Sequence, residues 1–189
     1  FGIAPLLFLQ VLHGRLFYSA TVILAPAWLG LLLFLMAAYY LTYGAKYRLR
    51  AGKGAAVQLG LSALLFLGVA AIQVVVHLLS VQPGRWEGVL ASPWTALSDR
   101  SFLPRFLHFV LAGITLAGIL LAWVAVRRVP DEGARTEASA RAAFGVKIAL
   151  LATLLQLVDG LWLTISVPRD VLLGLMRGGA ATMVPFTLG

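Results

Sequence analysis

The stretch AAVQLGLSALLFLGVAAIQVVVHLL, residues 55–79, runs for 25 positions without an Asp, Glu, Lys or Arg. At 1.5 Å per residue a helix of that length reaches about 37 Å, more than the ~30 Å of a bilayer's hydrocarbon core. Working outward from it, three similar runs appear: 16–43, interrupted only by Pro26, then 102–126 and 143–167. The spacing predicts four transmembrane helices over these ranges. The expected fold class is an all-α integral membrane bundle, with at least four spans in a single transmembrane domain over 1–189. The chain opens at Phe1 inside an apolar stretch (1–14, with Pro5 and Gly14). Residues 168–189, with Pro168, Pro185 and several glycines, read as a loop or the start of another segment. Both ends lead to the expectation of a portion of a longer chain.

Composition agrees. Of the 189 residues, 61% are apolar and 12% charged, and mean hydropathy is +0.94. Soluble domains carry about 25% charged residues, so a soluble enzyme domain is excluded. There is no cysteine, which excludes disulfides, zinc–thiolate sites and covalent C-x-x-C-H haem attachment. The net charge of +8 comes from Lys and Arg in short loops between apolar runs. With no basic face interleaved with aromatics, nucleic acid is not an expected partner. No phosphate-binding glycine loop, H-E-x-x-H or G-x-S-x-G motif occurs.

The loops give a direction. Lys46, Arg48, Arg50 and Lys53 crowd the 44–54 loop, and Arg127, Arg128, Arg135 and Arg141 the 127–142 loop. Basic residues favour the cytoplasmic side. That places 1–15, 80–104 and 168 onward outside, on the periplasmic face if the bilayer is a bacterial inner membrane. The outer loop 80–101 carries Trp86 and Trp94, read as interfacial anchors around a short surface-lying amphipathic piece.

Polar residues in the spans then sort by depth. His13, His77 and His108 all fall near the outer face, the last two about 3–8 Å below the boundary. Gln73 shares a helical face with His77, Thr115 with His108, Gln10 with His13, and Gln156 with Asp159. Asp159 is the one carboxylate well inside a span. An ionised side chain there costs roughly 2.5–3.5 kcal/mol and should face a partner in the bundle. Arg15, His13 and His77 are the partners the depth reading suggests.

Imidazoles projecting from apolar spans suit a b-type haem, which needs axial ligands, an apolar slot and cations near its propionates. His77, His108 and His13 are the haem-iron candidates, and Arg105, one turn outward of His108, is the propionate candidate. The small residues Ala112, Gly113, Ala117 and Gly118 would admit a flat ring or a neighbouring helix. Asp159, Gln156 and Gln73 are candidates for a proton relay or for orienting a ligand. Each feature also has a plainer reading: an interfacial His that only hydrogen-bonds, small residues that only pack helices, an Arg that only snorkels. Three function classes follow. One is a membrane cytochrome or haem-bearing anchor subunit of a redox complex. The second is a cofactor-free structural subunit of a larger membrane complex. The third is a proton- or ion-conducting bundle.

The opening FGIAPLLFLQVLHGRLF (1–17) and PRFLHFVLA (104–112) resemble segments of the large, haem-bearing subunit of cytochrome bd-type quinol oxidases. The resemblance implies a helical bundle, b-type haem near the outer face and quinol as electron donor, with His77, His108 and His13 as the ligand candidates. The family's quinol-binding loop, Met ligand and paired intramembrane glutamates are not found in these residues. The resemblance therefore implies a reduced relative. Such a protein would pass electrons between quinol and another redox partner, alongside other membrane or periplasmic subunits.

Overall fold

The structure, a computed structural model, describes residues 14–127 and 135–167 together with positions 169 and 173. Among these, all regular structure is helical: α1 over 14–23, α2 Ala25–Arg50, α3 Ala56–Val81, α4 Trp86–Ala91, α5 Phe102–Arg127 and α6 Arg135–Ser166, with short 3₁₀ turns at Pro83–Arg85 and Pro93–Ser98. Helices α2, α3, α5 and α6 are each long and apolar enough to cross a membrane. Their apolar stretches are mostly exposed, as bilayer solvent permits. The chain is an all-α integral membrane protein. It packs as two compact units, Phe1–Phe102 and Leu103–Gly189.

In the first unit, the 16–43 run is divided at Leu24. Pro26 has no N–H to donate, so the helix restarts there with proline in its first turn. Helices α2 and α3 then pack antiparallel. The Ser62 hydroxyl donates to the Ala38 carbonyl at 2.9 Å, and Thr42 Oγ1 lies 2.7 Å from Ser62 Oγ. Further along, Tyr39 and Phe66 meet edge to face. The Phe34 ring lies where a side chain at Gly68 would stand. At the other end, Ala20, Leu24, Val75, Val76, Leu79, Val89 and Ala96 form a buried core that includes residues of the 82–101 loop.

That loop is not one amphipathic helix. Ser92 is extended (φ −150°) because Pro93 disfavours the helical region in the residue before it. Its two tryptophans part company. Trp86 packs on the core and donates Nε1–H to the Leu79 carbonyl at 2.8 Å, whereas Trp94 is 78% exposed. Arg85 pairs with Asp99 and also donates to the Thr95 carbonyl at 2.8 Å. Asp99 Oδ1 accepts from the Ser101 amide and hydroxyl, at 2.7 and 2.6 Å. Burial pushes the Asp99 carboxyl up, but the Ser101 hydrogen bonds and the Arg85 charge outweigh it, leaving the pKa below its ordinary 3.8.

The second unit is an antiparallel helix pair. A Cβ built on Gly118 of α5 would meet the Gly145 carbonyl of α6 at 2.6 Å, and one on Gly145 the Ala122 amide at 2.9 Å. Glycines let the two backbones touch. Helix α6 begins eight residues before its apolar run at 143. Its first turns are strong helix formers, and Glu137 pairs with Arg141 one turn on.

Candidate functional site

Outward from the glycine crossing, the α5–α6 pair carries a polar seam between apolar faces. His108 lies six residues into α5 and Asp159 seven residues from the end of α6. At 1.5 Å per residue both stand about 9–10 Å from their outer helix ends. The antiparallel pairing brings them together: His108 Nδ1 is 3.1 Å from Asp159 Oδ2. A carboxylate oxygen accepts, so Nδ1 carries the hydrogen, and the ring's Nε2 keeps the lone pair that binds metals.

The two partners sit in different surroundings. The Asp159 side chain is 6% exposed, the His108 side chain 42%. Asp159 Oδ1 is buried and meets no hydrogen-bond donor among the described residues. Farther inward, Thr115 Oγ1, two turns beyond His108, donates to Gln156 Oε1, and Gln156 Nε2 donates to the His108 carbonyl, both as long contacts of 3.4 Å. The seam thus joins four residues whose helical spacing predicts two shared faces: His108 with Thr115, and Gln156 with Asp159.

The partner of Asp159 differs from the sequence expectation. Arg15, His13 and His77 are the candidates by depth and charge, yet the carboxylate is held by His108. The neighbouring helix of the same unit presents an imidazole at the same depth as the carboxylate.

The remaining candidates fall elsewhere. Gln73 and His77 share an exposed face of α3 in the first unit, between the buried Val74–Val76 and Leu78. His13 and Gln10 lie outside the described residues. Arg105 is half-buried one turn before His108. The small residues of α5 divide in use: Gly118 is consumed by the crossing with α6, whereas a Cβ on Gly113 would meet open space and Ala112 is exposed.

Chemically, the seam offers one imidazole oriented by a buried carboxylate and reachable from the surface of its unit. Low side chains stand on the same helix one turn inward. That donor set fits a haem iron, which asks the protein for one or two imidazoles and open apolar surface. It does not fit a bare multidentate metal ion: among the described residues no three His, Asp or Glu side chains gather as such a group. No protein-family model, curated protein or solved structure matches the chain.

Proposed function

We propose that the protein is a membrane b-type cytochrome, or the haem-bearing anchor subunit of an electron-transfer complex. In this reading it passes electrons between a quinol and another redox partner. The observation that carries the reading is the His108–Asp159 pair. Nothing in helix packing requires a buried carboxylate at this depth, and its insertion cost is of the order of 2.5–3.5 kcal/mol. A carboxylate on one imidazole nitrogen is the usual companion of a metal on the other.

In this reading His108 holds the haem iron, and His77 and His13 stay separate candidate ligands of the first unit. Arg105 lies at the outward side of His108, suited to a propionate. The haem, when bound, supplies one-electron chemistry. The chain's own residues orient the imidazole, keep water from its carboxylate and leave Ala112 and Gly113 low beside it. The basic residues Lys46, Arg48, Arg50 and Lys53, in the last turns of α2 and the turn after it, support a cytoplasmic placement for that end, and so a periplasmic-side haem in a bacterial inner membrane. Quinol as donor rests on the resemblance of residues 1–17 and 104–112 to the cytochrome bd large subunit.

The test is a reduced-minus-oxidised absorption spectrum of the purified protein. A b-type α-band that develops on adding a short-chain quinol, and that His108→Ala abolishes, is the expected result. A flat spectrum from folded protein favours a structural subunit instead.

A second reading, a proton-conducting bundle, is favoured by Asp159 Oδ1, which meets no donor among the described residues. It expects Asp159→Asn to abolish proton flux into vesicles while assembly is unchanged.

A further inference from the structure

We infer that Asp159 is a positioning residue that sets the electron affinity of the haem through His108. The inference rests on the haem reading above. It starts from the geometry of one hydrogen bond. Asp159 Oδ2 lies 3.1 Å from Nδ1, which fixes the tautomer with Nε2 free to bind iron. An imidazole held only by a backbone carbonyl would gain the same tautomer. A carboxylate adds a negative charge at the hydrogen-bond acceptor.

That charge is unusually undivided. Oδ1 is buried with no donor among the described residues, so no second hydrogen bond draws density away from the His108 side. The Asp159 side chain is 6% exposed, and water screens it little. Gln156, which could have turned its amide to the carboxylate, is engaged by Thr115 and by the His108 backbone. The carboxylate pushes electron density onto the imidazole through the Nδ1–H hydrogen bond. An imidazole that donates more electron density favours ferric over ferrous iron, because the oxidised state carries the extra positive charge. The haem potential is therefore held low by Asp159.

The test is a spectroelectrochemical redox titration of the purified wild type, Asp159→Asn and Asp159→Glu, with resonance Raman of the ferrous iron–histidine stretch where the haem is five-coordinate. Asparagine can still accept from Nδ1 but carries no charge. The expected results are an upward shift of the midpoint potential in Asp159→Asn and a lower iron–histidine frequency. Asp159→Glu, which keeps the charge on a longer arm, should lie between. If Asp159→Asn loses its fold, Asp159→Gln supplies an uncharged acceptor in its place. Haem retained with wild-type potential and frequency in the folded uncharged variant overturns the inference and leaves the haem reading standing. Absence of haem from folded wild type, or full haem content in His108→Ala, overturns both.

Discussion

The two units differ in the polar groups they carry into their spans. In the 1–102 unit, the buried Ser62 hydroxyl donates to the Ala38 carbonyl, Trp86 donates to the Leu79 carbonyl, and the Arg85–Asp99 ion pair lies in the loop between α3 and α5. Such bonds tie helices and loop together, and each donor is locally accounted for. In the 103–189 unit, side chain meets side chain, His108 with Asp159 and Thr115 with Gln156. A carboxylate is carried into a span for that purpose. A hydroxyl closing a carbonyl explains itself as structure; an acid–imidazole pair in hydrocarbon asks for a reason beyond folding.

His108 is where a substitution costs most. Replacing it with alanine leaves a buried acid with neither oxygen paired. The expected loss is about 3 kcal/mol in a mixed-micelle SDS unfolding titration. The double variant His108→Leu/Asp159→Leu should recover most of that loss, because the orphaned charge is gone. A double variant as unstable as the single one would show that the pair is structural cement, no different in kind from the Ser62 bond.

Next in size is the crossing below the pair. Gly145→Leu must force apart backbones that already touch, at a cost of about 1–3 kcal/mol by the same titration. The His108 seam should loosen with it, whereas an equivalent change at Gly113 should leave stability nearly unmoved.

In the first unit the effects are smaller. Trp86→Phe keeps most of the ring's packing and loses one hydrogen bond, so about 1 kcal/mol is expected from thermal unfolding. Smallest is the acid response of the outer loop. Asp99 titrates lower in the folded protein than its ordinary 3.8. Its contribution is therefore fully present above that value and is lost as pH falls through it toward the folded pKa. Hydrogen exchange of the 93–101 loop should rise over that acid window, and Asp99→Asn should remove the dependence.

Much of this was legible in the sequence. The apolar runs at 55–79 and 102–126 match α3 and α5 to within two residues, since length and lack of charge suffice to specify a span. The shared faces of Gln73 with His77 and of Gln156 with Asp159 follow from helical spacing. What the sequence concealed was pairing. The 108–159 contact depends on the antiparallel register of α5 and α6, fixed by Gly118 and Gly145, and two glycines among many do not announce a register. The early start of α6 was hidden because its first turns are polar and gain their helix from local propensity and the Glu137–Arg141 pair. The inward turn of Trp86 depends on a single carbonyl at Leu79, beyond the reach of pattern.

The most direct test of the account is the haem-to-protein ratio of the detergent-purified chain, measured as the pyridine haemochrome for wild type and His108→Ala side by side. The account predicts a b-type spectrum at about one haem per chain or more in the wild type, and a loss of at least one haem equivalent in the variant. Folded wild type without haem, or an undiminished ratio in His108→Ala, would contradict it.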